Sequence, residues 1–430
     1  MDHSAENITR LVIQLAAILF VAKIGGEVCD RFLKIPAVLG ELGAGIIIGP
    51  FALGGLAISD FGPLFESVPS GTAIPVSESL FAISQIGAVV LLFMAGLETN
   101  LRQFLRYSGP ASAVAIGGVI LPFALGVAVT VLLGFADGFG DPKALFIGAV
   151  MTATSIGITV RVLSDLRTLD TPEGITILAA AVLDDVLGIL MLTIVVGIGA
   201  TGTFSIGGVG LIASKTLGFW LALTVIGVLL SGHISRLFDR FRVSGAAVGL
   251  ALALAFLAAG LAESFGLAMI IGAFSIGLAL SGTPLAQRLE EPLLGVYAAL
   301  VPVFFVVTGM MVDVASLGAV WAFGLVLTVM AIIGKLAGSG IPSLFVGFNR
   351  HGAWRIANGM LPRGEVALIM AGIGVSSGII GTDLFGVSII MTIITTVLAP
   401  LILSKAFANG VPGTRSSAAR PEDVHDESRG

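Results

Sequence analysis

The sequence predicts an all-α membrane protein that crosses the bilayer about 13 times, and the scarcity of charge is the first reason. Only 22 basic and 27 acidic residues occur among 430, or 11%, whereas a soluble domain has about 25%. The mean hydropathy is +1.06. A soluble protein could not cover its surface with so few charges, and the cations form no basic face. These numbers therefore exclude a soluble enzyme and a nucleic-acid-binding protein.

Glycine and cysteine usage give the second reason. The chain has 58 glycines, twice the usual share of about 7%, and small residues let helices in a membrane pack closely. The single cysteine, Cys29, excludes a disulfide framework and a cysteine-based metal site.

Thirteen apolar segments approach or exceed the length of about 20 residues that a membrane-spanning helix needs. They cover residues 8–26, 35–54, 80–98, 109–134, 143–164, 173–200, 209–232, 243–262, 264–281, 293–312, 317–347, 353–378 and 384–404. The first segment is not a signal peptide, because its N-terminal flank is acidic and its apolar run is too long.

The distribution of basic residues predicts the orientation of these spans. With the N-terminus outside, 17 of the 22 Lys and Arg residues fall on the inner side, while Arg10, Lys143 and Lys215 fall on the outer side and two lie within spans. Inner loops carry the excess of positive charge. The sequence thus predicts a multi-pass protein of the cell (inner) membrane, with its N-terminus outside and its C-terminus in the cytoplasm. The polar tail 405–430 is expected to be disordered.

Five charged residues lie deep in the apolar interior of predicted spans, where each costs about 2.5–3.5 kcal/mol and is a functional candidate. Asp184 and Asp185 are central in span 6, Lys335 is central in span 11, and Arg363 and Glu365 lie a third of the way into span 12. Adjacent aspartates on a helix point about 100° apart, so one can face a cavity while the other meets the lysine. Such a trio can exchange protons near neutral pH. A salt bridge that only fixes packing would need one aspartate, not two.

Two spans contain runs that break a helix. Span 5 has a polar stretch at 151–159, and span 12 has Pro362 within 358–365, where proline kinks or ends a helix. Interrupted spans at corresponding places indicate an inverted-repeat transporter with an ion site near the midplane. Spans 4–6 and 11–13 are the predicted repeats. Freed carbonyls and the hydroxyls of Thr154 and Ser155 can bind a cation, although ordinary back-bonding in a bent helix is the alternative.

Arg363 and Glu365 have two open interpretations. They compensate the half-helix dipoles or each other, or they contact the ion directly. The role of Glu41, in the second span, is also open.

Several motifs together resemble the monovalent cation:proton antiporter superfamily, in its branch with paired aspartates typical of electrogenic sodium/proton antiporters. The resemblance covers nearly all of the membrane part. Its motifs are IPAVLGE at 35–41, GIIIGP at 45–50, FMAGLE at 93–98, TATS at 152–155, LDD at 183–185, the apolar run at 263–281, PVFFVVTGM at 302–310 and PRGEV at 362–366.

The resemblance implies a homodimer with two domains in each protomer. The dimer domain comprises residues 1–108 (spans 1–3) and 243–312 (spans 8–10). The core ion-transport domain comprises 109–200 (spans 4–6) and 313–404 (spans 11–13), and span 7 within 201–242 links the two. Spans 5 and 12 would be broken and would cross at the site.

The resemblance also implies roles for the site residues. Asp185 would be the main carrier of cation and proton, Asp184 the partner of Lys335, and Thr154 a ligand of Na⁺ at the span 5 break beside Ser155. Glu365 and Arg363 would support this site.

The implied activity is the exchange of Na⁺ or Li⁺ for H⁺ by alternating access, electrogenic, in sodium transport and pH homeostasis. No cofactor is expected, and the protein is not an enzyme. Its partners would be monovalent cations, protons and the lipid bilayer, with no nucleic acid. A K⁺/H⁺ antiporter is the alternative, although potassium-efflux relatives have a glutamine where Asp184 stands and a nucleotide-binding domain. Two other classes of protein are less consistent with the sequence. A cation channel usually needs a symmetric pore, whereas here the repeats and the site lie within one chain. An intramembrane aspartyl protease needs its two aspartates on separate helices, whereas here they are adjacent.

Overall fold

A computed structural model of the full chain describes residues 3–57, 62–66, 74–201, 206–238, 240–241, 243, 245–312, 321–408 and 410–415. Within this part the chain is nearly all helical and has no β-strand. The all-α fold predicted from the sequence is therefore confirmed.

Fifteen α-helices make up the described part of the chain. They are α1 (His3–Glu27), α2 (Ala37–Ile48), α3 (Glu78–Glu98), α4 (Leu101–Leu132), α5 (Pro142–Val150), α6 (Ile156–Asp165), α7 (Pro172–Thr201), α8 (Ile206–Phe238), α9 (Ala246–Ser264), α10 (Met269–Ser281), α11 (Pro284–Met310), α12 (Trp321–Phe345), α13 (Arg350–Gly359), α14 (Glu365–Ser376) and α15 (Thr382–Ala408).

These helices correspond to the thirteen predicted spans. Ten of the described helices are long and apolar enough to cross a membrane, and α10 is an apolar helix of 13 residues. The two spans with helix-breaking runs are each two shorter helices, α5 with α6 and α13 with α14.

Helix ends differ from the prediction where a helix continues beyond its apolar run. Helix α4 begins at Leu101 rather than at residue 109, because the Asn100 side chain accepts the Gln103 N–H at 3.1 Å and caps the helix. Helix α11 begins at Pro284 rather than at residue 293, since proline is well suited to the first turn.

The helices form two bundles. Helices α1–α3 and α9–α11 pack together as what we call the scaffold bundle, and α4–α7 with α12–α15 form the core bundle, while α8 contacts α7, α9 and α10. Glycines allow the closest crossings: a side chain at Gly117 of α4 would collide with the Gly338 carbonyl of α12, and the reverse also holds. Two helices that lack side chains at their crossing pack backbone to backbone.

The chain after α15 departs from the predicted disorder. Helix α15 continues to Ala408, and Asn349 holds the segment that follows, since its N–H donates to the Gly413 carbonyl (2.9 Å) and its Nδ2 to that of Pro412 (2.7 Å). The Arg415 N–H donates to the Gly347 carbonyl at 2.9 Å. Composition alone could not reveal these main-chain contacts. Residues 416–430 lie outside the described residues.

Candidate cation site

The two broken spans cross, and each supplies hydrogen-bond partners to the other. The Ser155 N–H donates to the Pro362 carbonyl at 2.7 Å. The Thr159 hydroxyl donates to the Gly359 carbonyl at 2.7 Å, and the Thr154 hydroxyl to that of Met360 at 3.2 Å. Unwound backbone is tolerated within a membrane protein only where such partners exist. The crossing therefore places polar main-chain groups in the middle of the core bundle.

Arg363 lies within this crossing and is fully buried. Its Nη1 donates to the carbonyls of Ala153 (2.7 Å) and Val150 (3.4 Å), at and just beyond the C-terminus of α5. The Thr396 hydroxyl donates to the Arg363 carbonyl. A cation at the C-terminal end of a helix offsets the negative end of its dipole. Of the two interpretations left open by the sequence, this geometry matches dipole compensation. The Glu365 side chain lies outside the described part of the structure.

Asp184 of α7 and Lys335 of α12 form an ion pair. Lys335 Nζ lies 2.9 Å from Asp184 Oδ1, and the side chains are 0% and 1% exposed. Thr154 lies beside the same carboxylate. Gly118 of α4 lies beside Ser339 of α12, because a β-carbon there would lie 2.5 Å from the Ser339 hydroxyl, and at an ordinary contact distance, 3.6 Å, from Lys335 Nζ. The partner that the sequence suggested for Lys335 is thus in contact with it.

Asp185 and its neighbour Asp184 line the same cavity. This cavity is mostly apolar and has a volume of about 310 Å³, with Ala153 and Gly188 deep inside and Gln85 and Glu263 nearer the helix ends. Successive residues on α7 point about 100° apart. The two carboxylates therefore point in different directions, and Asp184 meets the lysine while both aspartates line the cavity.

A second cavity of about 730 Å³ lies on the opposite face of the molecule and includes Glu98 and Ser164 in its lining. The two cavities are on opposite faces because α3 lines the first with its N-terminal turns and the second with its C-terminal turn. Between them, Gly157 of α6 packs against Phe304 and Leu91. The candidate site is therefore open to one face and closed to the other.

The structure brings Asp184, Asp185, Lys335 and Thr154 together, as the sequence analysis expected. Ser155 lies at the crossing, with Gly364 against its side chain. Ala153, rather than Thr154 or Ser155, lines the cavity. The side-chain oxygens of the break thus face the crossing segment more than the open space.

Two buried ion pairs were missed by the sequence analysis. Arg355 Nη1 lies 2.6 Å from Glu173 Oε1 and joins α13 to α7, and Arg161 Nη2 lies 3.5 Å from Glu41 Oε1 and joins α6 to α2. Glu173 and the two arginines sit near predicted span ends, where charges are normally solvated. Glu41 was noted without a partner, because the pairing depends on segments far apart in sequence.

Comparisons with known proteins agree with this architecture. The family model described as "Sodium/hydrogen exchanger, transmembrane" matches residues 16–408. The chain is 37% identical to the high-affinity Na⁺/H⁺ antiporter NhaS3 of Synechocystis sp. (92% of this chain, 90% of the relative) and 37% identical to the Na⁺/H⁺-K⁺ antiporter GerN of Bacillus cereus (92% and 95%). Its fold is similar to that of the sodium proton antiporter MjNhaP1 from Methanocaldococcus jannaschii, with a TM-score of 0.70, 20% identity and coverage of 94% and 96%. The resemblance noted from the motifs is confirmed, and the chain belongs to the sodium/hydrogen exchanger family.

Proposed function

We propose that the protein is a secondary active transporter that exchanges Na⁺ for H⁺, with cation and proton competing for Asp185. The observation that carries this proposal is the arrangement of the two adjacent carboxylates. Asp184 is held by Lys335 inside the core bundle, and both Asp184 and Asp185 line the cavity. An intramembrane carboxylate that reaches a cavity is suited to bind a cation or a proton. The names of two relatives, 37% and 32% identical to this chain, are those of Na⁺/H⁺ antiporters and support the same activity.

The proposed cycle uses Asp184, Asp185 and Lys335 together with the polar groups of the span 5 break. Ionised Asp185 binds Na⁺ together with carbonyls of the span 5 break and the Thr154 oxygen. The arriving cation weakens the hold of Asp184 on Lys335, and Lys335 releases its proton. The core bundle then moves against the scaffold bundle and opens the site to the other face, where protons reload Asp185 and Lys335. More protons than cations move in each cycle, which makes the exchange electrogenic.

The choice of Na⁺ over K⁺ follows from the comparisons more than from the site. Relatives with 32–37% identity are named for Na⁺/H⁺ exchange, and one of them also for K⁺. The K⁺/H⁺ antiporter subunit KhtU of Bacillus subtilis is 26% identical. We therefore propose Na⁺ or Li⁺ as the main cation and keep K⁺ as the second candidate.

We further propose that the protein is a homodimer of the cell membrane, associating through the scaffold bundle, with its N-terminus outside. The excess of basic residues in the predicted inner segments supports this orientation. The cavity at Asp185 then opens to the outer face.

Flux measurement in proteoliposomes with an internal pH dye tests the proposal. We expect Na⁺ or Li⁺ to drive proton movement, Asp185→Asn to abolish it, and Asp137→Asn to retain it. Asp137 is a matched control because its side chain is exposed in the loop between α4 and α5. Exchange that persists in Asp185→Asn contradicts the site, and cation conductance without proton movement identifies a channel.

A further inference from the structure

Arg161 connects the two bundles. It belongs to α6 of the core bundle, and its Nη2 lies 3.5 Å from Oε1 of Glu41 on α2 of the scaffold bundle. Its guanidinium also lies over the Tyr297 ring of α11, at 5.5 Å from the centroid. Within its own helix, Nε contacts Asp165 at 3.2 Å. One core arginine therefore reaches two scaffold helices.

This contact is well shielded from solvent. The side chains of Arg161 and Glu41 are 12% and 3% exposed, and Glu41 Oε2 is buried with no hydrogen-bond partner among the described residues. Lys23 of α1 and Asp165 also face the carboxylate. A buried charge that loses its partner is costly unless water replaces that partner. The two side chains therefore stay paired while this region is closed. They can separate only when water enters and replaces the lost contact.

The pair also lies on the closed side of the candidate site. Helix α6 begins at the crossing and runs away from the first cavity, so Arg161 is about 9 Å further along the helix than Ser155. Ser164 and Arg167, just beyond it, line the second cavity. Glu41 and Arg161 thus bridge the bundles between the candidate site and the second face.

Among the described residues, two further buried ion pairs lie within one bundle. Lys335 with Asp184 joins α12 to α7, and Arg355 with Glu173 joins α13 to α7, all within the core bundle. They can move with that bundle without breaking. A displacement of the core against the scaffold changes the distance from Arg161 to Glu41 directly.

We propose that Glu41 and Arg161 form a latch that holds the second face closed and breaks each time the site opens to that face. The inference rests on the proposed alternating-access exchange. Water entering from the second cavity replaces the broken contact, so that rupture of the latch and opening are one event. Arg161 and Glu41 are positioning residues, since neither touches the cavity at Asp185.

Cysteine accessibility in lipid nanodiscs, where both faces are open to reagent, tests the latch. In a Cys29→Ala background, Gln85→Cys reports on the first cavity and Ser164→Cys on the second, in separate proteins. Glu41→Gln and Arg161→Gln each remove one partner. Glu27→Gln is the matched control, because Glu27 and Arg31 also lie 3.5 Å apart but are exposed and belong to one helical segment.

Removal of an exposed ion pair changes the equilibrium constant between two conformations by up to about fivefold. Removal of one partner of a shielded pair changes this constant more. We expect Glu41→Gln and Arg161→Gln to slow maleimide labelling at residue 85 by about threefold or more and to speed it at residue 164. Glu27→Gln should leave both rates unchanged.

Equal rates in Glu41→Gln, Arg161→Gln and Glu27→Gln overturn the latch, and so does a loss of thermal stability without any change in labelling. If a single variant fails to fold, Glu41→Gln/Arg161→Gln carries the test, because it leaves neither charge unpaired. The labelling rates do not depend on which ion is exchanged. A shift in labelling without Na⁺/H⁺ flux therefore contradicts the proposed function and not the latch.

Discussion

Lys335 holds Asp184, one of the two adjacent carboxylates that line the cavity. The charges within apolar spans predicted the trio, because such charges have few alternatives to contacting each other. The choice of Asp184 as the partner of the lysine came from the motif resemblance. The sequence could not predict that Gly118 packs beside Ser339 and the lysine, because a glycine gives no sign of which side chains will lie against it. It also left Arg363 open, because the last carbonyls of α5 become neighbours only after the two breaks cross.

At this scale, Lys335→Gln should leave the Asp184 carboxylate buried without its cation. We expect a loss of about 3–5 kcal/mol in the free energy of unfolding and an exchange that no longer responds to membrane potential. Asp184→Asn/Lys335→Gln should recover much of the stability, because it removes both charges. Thermal unfolding of the purified protein and potential-dependent flux are the measurements. Equal stability of the single and double variants would contradict this account.

The two broken spans are the elements on which the site depends. The sequence located both breaks, from the polar run at 151–159 and from Pro362. What it could not give was their mutual bonding, since Ser155 and Pro362 are about 200 positions apart and no local pattern pairs them. The helix bounds were less predictable where a cap such as Asn100 carries a helix beyond its apolar run.

The bond from Thr159 to Gly359 provides a test at the scale of the element. Thr159→Val leaves the carbonyl at the end of α13 without this donor, and we expect a loss of about 1–3 kcal/mol in the free energy of unfolding. Thr328→Val is the matched control: its hydroxyl is also buried and donates to a carbonyl at 2.6 Å, but that carbonyl is one turn back in the same helix. The melting temperature should fall clearly more for Thr159→Val than for Thr328→Val. Equal falls would show that this bond does not stabilise the crossing of the two broken spans.

The described part of the chain forms two bundles, with the cavity at Asp185 on one face and the cavity at Glu98 on the other. The count of spans and their all-helical nature followed from apolar length alone. The division into bundles did not follow from the residues, because it depends on close crossings such as that of Gly117 with Gly338, which many other glycines could have made. Motif resemblance implied a division into the same spans, and the role of one bundle in a dimer stays a prediction.

Orientation is testable at this scale in intact cells with a Cys29→Ala background. Asp137→Cys, in the loop between α4 and α5, should react with an impermeant maleimide added outside. His351→Cys, at the start of α13 and also exposed, should react only after the membrane is permeabilised. The basic residues in the predicted inner segments give this expectation. The opposite pattern would place the N-terminus inside and would reverse the face to which Asp185 opens.

The segment at 410–415 has a practical consequence for spectroscopy. Asn349 holds it on the core bundle, and any side chain at Gly413 would collide with the Glu173 carboxylate. Glu173 and Arg355 are joined in turn to the helices that carry the site. A fluorophore attached just after Arg415 would therefore travel with the core bundle. With a second dye near Glu27 of the scaffold bundle, energy transfer between the two dyes would report the distance between the bundles during transport. Neither dye would need to lie inside the membrane.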